Sequence, residues 1–132
     1  MTDFSFKRAE RLKSHTVIAS LFEKRGEAIG KYPLLLVWKE IEERKSDYPV
    51  QFALSVSKRK FKRAVDRNHL RRRVRESYRL NKHTLYEGLR EQDKQFAFMF
   101  IYTGKEMFDY ADIEKSMQKI IQRFLKGRQP TE

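Results

Sequence analysis

Cysteine is absent from the 132 residues. That excludes disulfides and thiolate metal sites, and it fits a reducing cytosol. No run of 18 apolar residues occurs, so the sequence offers no candidate membrane-spanning helix. Met1 to Lys13 is polar and charged without an apolar centre, unlike a secretory signal. Internal repeats and low-complexity tracts are missing too. Acids are scarcest in one place: between Lys58 and Lys82, Asp66 and Glu76 stand against twelve Lys or Arg. This 25-residue stretch therefore carries +10 of the formal +12.

What is present is enough for a core. A hydrophobic content of 39% with 13% aromatics argues for folding despite 36% charged residues. The length predicts one domain, residues 1–127, with 128–132 as a disordered tail. After a basic lead-in, Ser14 is placed to cap a helix with Ile18, Leu21 and Phe22 on one side and Gly26 at its end. A short edge strand follows around Glu27 to Ile29. Leu34 to Trp38, after Pro33, predicts a strand, and Glu40 to Asp47 a charged turn. Val50 to Ser57 predicts another strand, with Phe52, Leu54 and Val56 on one face. The basic helix spans about 64 to 80, and a short helical turn covers His83 to Leu89. Phe96 to Tyr102 is apolar at every position, as in a central strand covered on both faces. Asp109 then caps a last helix whose inward stripe is Ile113, Met117, Ile120, Ile121 and Phe124, with Gly127 as its stop. The order αβββαβα makes a two-layer α+β domain with a mixed four-stranded sheet.

The basic helix has two sides. At 100° per residue from Arg67, the side chains of Arg71, Arg75, Asn68, Arg79 and Arg72 follow within about 140°. Leu70, Val74, Ser77 and Tyr78 fill the adjoining sector and can dock on a sheet. A solvated charged face is the ordinary reading of such a run. Cations this close, without acids four residues away, repel by a few tenths of a kcal/mol per pair, about what a helical pair of like charge costs. A polyphosphate partner offsets that repulsion through counterion release and guanidinium–phosphate hydrogen bonds. A membrane surface would want a broad apolar face opposite the cations, which this helix lacks. A DNA reader would want a second helix three or four residues before this one, a zinc site or a heptad seam after it, and none is present. RNA is the expected partner.

At these residues the chain resembles the protein subunit of bacterial ribonuclease P. The resemblance rests on Leu54-Ser55-Val56-Ser57-Lys58-Arg59 followed by Ala64-Val65-Asp66-Arg67-Asn68-His69-Leu70-Arg71-Arg72-Arg73-Val74-Arg75-Glu76. Arg11-Leu12, Phe22, Gly26 and the late aromatic strand agree more loosely. His69 departs from the family pattern, which has arginine there, and Phe61-Lys62-Arg63 stands where a glycine is common. The resemblance implies a left-handed βαβ crossover, against the usual hand. It also implies binding to a catalytic RNA that removes the 5′ leader of precursor tRNA in the cytoplasm, with Mg²⁺ bound mainly by that RNA. Lys58, Arg59, Lys62, Arg67, Asn68, Arg71, Arg72, Arg75 and Arg79 are then the expected RNA contacts. Phe22, Leu36, Trp38, Ser55 and Ser57 are expected to line a cleft for the single-stranded leader, although aromatics at such spacings also serve as core.

No protein-borne active site is expected. Glu40, Glu42 and Glu43 lie in a charged turn rather than a converging cluster, and His15, His69 and His83 lack metal-ligand spacing. A structural ribosomal protein would share the size, charge and Arg-rich helix, and is the alternative reading. A self-sufficient nuclease fits poorly for want of clustered acids.

Overall fold

The computed structural model describes residues 10–12, 18, 27–41, 48–90, 92 and 94–128. Strands β1 (Glu27–Lys31), β2 (Leu34–Ile41), β3 (Val50–Ser55) and β4 (Gln95–Tyr102) form one sheet, ordered β1-β2-β4-β3. β1 with β2 and β2 with β4 are antiparallel, whereas β3 and β4 are parallel. Helix α1 (Ala64–Leu89) makes the crossover between the parallel pair, and α2 (Tyr110–Arg128) closes the described chain. The sheet is thus mixed and the fold α+β, as the sequence predicts. The helix expected from Ser14 lies, apart from helical Ile18, outside the described residues.

Alternation along the strands separates two apolar layers. Leu34, Leu36 and Trp38 of β2, Val50 and Phe52 of β3, and Phe96, Phe98, Phe100 and Tyr102 of β4 face the helices. Leu70, Val74, Tyr78, Leu85 and Leu89 of α1 meet them, as does the predicted α2 stripe of Ile113, Met117, Ile120, Ile121 and Phe124. On the opposite sheet face, Leu12, Ile41, Ala97 and Met99 gather with Ile18, Val37, Ala53 and Ile101. Covering of β4 on both faces explains its unbroken apolar run.

Two helix boundaries differ from expectation. α1 continues as a single helix of 26 residues, with no break at Asn81. The Asn81 amide donates to the Ser77 carbonyl (2.7 Å) and to the Glu114 carboxylate of α2 (3.2 Å), so the side chain serves the helix instead of ending it. Leu85 and Leu89 then extend the buried stripe. At the other end, α2 runs through Gly127 to Arg128. Its start follows the sequence: Asp109 Oδ1 accepts the Asp112 amide at 3.0 Å.

Candidate nucleic-acid interface

Between β3 and α1 the chain folds back on itself. Ser57 Oγ accepts the Lys60 amide (3.2 Å), and the Ser57 carbonyl accepts that of Phe61 (3.1 Å). Phe61 turns inward against the edge of Tyr102, ring centroids 5.7 Å apart. With Phe61 as the anchor, Lys58, Arg59, Lys60, Lys62 and Arg63 all point to solvent. Arg67, half-buried in the first turn of α1, donates to the carbonyls of Phe61 (2.8 Å) and Lys62 (3.0 Å), tying this loop to the helix.

Further along α1 the predicted division holds. Leu70, Val74, Ser77 and Tyr78 are buried; Asn68, Arg72 and Arg75 are exposed and Arg71 and Arg79 partly so. Arg71 donates to Asn68 Oδ1 at 3.2 Å. Arg79 forms two hydrogen bonds with Glu76, at 2.5 and 3.1 Å, which raise its pKa and lower that of the carboxyl. One acid three residues away therefore already relieves part of the repulsion expected along this face. On the far flank, Arg73 donates to the Phe108 carbonyl (2.7 Å). His69, Arg72, Arg73, Arg75, Glu76, Arg79 and Tyr110 together line an open groove of about 540 Å³ between α1 and the start of α2. Burial and the Glu114 hydrogen bond (2.8 Å) push the Tyr110 phenol up to about 12, so it stays neutral there. His69 belongs to this groove, although helical angles put it outside the arginine sector.

Lys82 leaves the cationic run altogether. It is buried, and its Nζ lies 2.6 Å from Oε1 of Glu10, itself fully buried. Tyr86 Oη donates to the same oxygen at 2.8 Å, and Tyr78 and Tyr86 hydroxyls are 3.1 Å apart. Burial pushes both phenols far up. Glu10 is separated from Lys82 by 72 positions, and no local pattern pairs them. Arg11 was legible only as a loose family match; its charge, after burial and together with Arg71, lowers the pKa of Arg75.

The expected leader cleft needs correction. Leu36 is wholly buried and Trp38 is 7% exposed. Both lie on the helix-covered face, where the indole packs edge-on against Phe96 (5.8 Å) and Phe124 (5.0 Å). They are core residues, out of reach of a ligand. Phe22 lies outside the described residues. Ser55 is exposed on the opposite face, at the end of β3 beside Ala53, and half-buried Ser57 is engaged in the loop turn. Among the described residues no three His, Asp or Glu side chains come together as a metal site.

The sequence profile of the Ribonuclease P family matches residues 6–125. The ribonuclease P protein component of Porphyromonas gingivalis is 36% identical over 128 residues, covering 97% of this chain and 91% of that protein. That of Pseudomonas paraeruginosa is 30% identical over 133 residues, covering 100% and 90% respectively. Among solved structures, the RNase P protein of Staphylococcus aureus superposes with a TM-score of 0.67 at 18% identity, covering 89% of this chain and 96% of that one. That of Thermotoga maritima gives a TM-score of 0.66 at 21% identity, covering 86% and 96%.

Proposed function

Since the chain belongs to the ribonuclease P protein component family, we propose that it is the RNA-binding subunit that assists a catalytic RNA in removing the 5′ leader from precursor tRNA in the cytoplasm. The observation that carries this reading is the division of α1. Its buried side is fixed in the core, while Arg71, Arg72, Arg75 and Arg79 stand on the other side beside the exposed cations of the loop before it. A rigid row of guanidiniums suits phosphates at fixed positions on a folded RNA.

The chain's work is positional and electrostatic. Its cations offset repulsion between the phosphates of two RNAs, and its sheet holds the leader. For the leader we assign the face opposite the helices, which half-buried Val37 and Lys39 of β2 share with half-buried Ala53 and exposed Ser55 of β3 across β4. Apolar side chains there can lie against bases, with Lys39 near a phosphate. Mg²⁺ held by the RNA supplies the phosphodiester hydrolysis.

The test is cleavage of a 5′-extended precursor tRNA by the catalytic RNA of the same organism at low Mg²⁺, with and without the protein. Strong stimulation of cleavage at the mature 5′ end, with none by protein alone, is the expected result. A folded protein that gives no stimulation would overturn the reading in favour of another RNA-binding role, such as a ribosomal one.

A further inference from the structure

Lys82, Arg71, Arg75 and Tyr86 share one stripe of α1: on a helical wheel they fall within about 60° of each other. Two of the four, Lys82 and Tyr86, bind the Glu10 carboxylate in the interior, at 2.6 and 2.8 Å. Glu10 therefore lies over the same side of the helix as the two arginines. The next residues are fixed as firmly. The Leu12 amide donates to the Phe52 carbonyl (2.8 Å), and Arg11 pairs with Phe52 as a parallel bridge beside β3. The Phe52 ring stacks on Tyr78 of α1 at 4.4 Å, and Leu12 is buried with Ile41, Ala97 and Met99. Residues 10–12 are thus held by a carboxylate on the helix, a backbone bond to the sheet and a buried leucine. Between the two buried neighbours, Arg11 is exposed.

We infer that Arg11, Arg71 and Arg75 form one phosphate-binding subsite for an RNA strand, and that the buried Glu10–Lys82 pair with Tyr86 is the device that positions Arg11 in it. Two distant stretches of chain supply the three guanidiniums. Their mutual repulsion is visible at Arg75, whose pKa is lowered by burial and then by the charges of Arg11 and Arg71. An anion seated among them removes that opposition, and its oxygens can accept from several forks at once. A buried ion pair is a poor source of stability but a good source of orientation, since each charge admits few alternative partners. Glu10 and Lys82 are positioning residues: neither can touch the RNA.

The inference rests on the ribonuclease P reading, and the experiment separates the two. Binding to the catalytic RNA is measured over a series of KCl concentrations for the wild type, Arg11→Ala, Glu10→Gln/Lys82→Met, and the triple combination. The Glu10→Gln/Lys82→Met pair leaves no orphaned buried charge, and thermal melting confirms that it folds. Loss of one phosphate contact lowers the slope of log K against log[salt] by about one. Arg11→Ala should show that drop. Glu10→Gln/Lys82→Met should show it as well with Arg11 still in place, and the triple variant should drop no further. A pair variant that melts lower but keeps the wild-type slope would reduce Glu10 and Lys82 to structural residues and overturn the positioning role. An unchanged slope for Arg11→Ala would overturn the subsite. A wild type that does not bind the RNA at all would instead overturn the ribonuclease P reading itself.

Discussion

Trp38 sits in a strand whose residues from Leu34 to Trp38 are apolar on both sides, so alternation there gives no direction. In the structure its indole is wedged between Phe96 and Phe124 under the helices. Trp38→Ala should therefore cost about 3–5 kcal/mol, the range for emptying a large buried aromatic site. Denaturant unfolding measures it. A stability near wild type, together with weaker discrimination between precursor and mature tRNA, would instead restore Trp38 to the leader cleft. Other residues were readable because their neighbours differ. Phe61 is the one apolar residue in a run from Lys58 to Arg63, and it is the one that turns inward. The arginines of α1 could be placed by angle alone, because Leu70, Val74 and Tyr78 mark the adjoining sector as the one that docks on the sheet. Lys82 could not. Its partner is 72 positions away, and no composition or spacing distinguishes a lysine that will meet a buried carboxylate from one bound for solvent.

Among the elements, the segment from Thr103 to Asp109 between β4 and α2 has no helix or strand but is specifically anchored. Tyr102 Oη donates to the Glu106 carbonyl (2.6 Å) and accepts the Phe108 amide (3.0 Å), so one phenol holds both sides of the bend. Phe108 in turn offers its carbonyl to Arg73 of α1. Gly104 passes directly beneath that ring: a Cβ there would sit 2.8 Å from Tyr102 Cζ and Oη. Because two hydrogen bonds fix the phenol, it cannot step aside cheaply. Gly104→Ala should destabilise by about 1–3 kcal/mol, as overpacking does elsewhere, and should shift the amide signals of residues 106–108 and the side-chain signal of Arg73. A neutral effect with unmoved signals would mean that the bend yields freely. The sequence marks strands and helices through period and caps, and Asp109 was readable as a cap for that reason. A bend held by a side chain from the preceding strand leaves no periodic trace. Neither does the continuity of α1 through Asn81, whose side chain meets Glu114 of another helix.

For the molecule as a whole, the layered core and the positive surface respond to pH in different ranges. Tyr78 and Tyr86 are kept neutral in the folded state by burial, far above the ordinary phenol value of 10.0. In the unfolded chain both ionise near that value. Below pH 10 the two states bind the same phenolic protons and stability is unaffected. Above it the unfolded state holds fewer, so stability is lost as pH rises, by about 1.4 kcal/mol per pH unit for each tyrosine. Urea unfolding between pH 9 and 11.5 should show this decline, and Tyr78→Phe should flatten it by one tyrosine's share. A Tyr78→Phe slope equal to that of the wild type would show that Tyr78 ionises alike in both states. The predicted mixed sheet and α+β class needed nothing beyond local pattern, whereas the joining of residues 10–12 to α1 is a property of the closed structure.

α1 has no joint. Its 26 residues make a rod about 39 Å long at 1.5 Å per residue. Leu70 near one end and Leu89 at the other are embedded in the same apolar layer. From Arg71 to Arg79 the guanidiniums are therefore spaced like the marks on a ruler, about 12 Å of fixed graduation that cannot bend toward an ill-fitting strand without lifting the core. Under the proposed function, adaptation in a complex would fall to the nucleic acid. An RNA already folded to the matching spacing would lose little freedom on contact, and one that is not would have to reorganise first, so this helix would select by measuring.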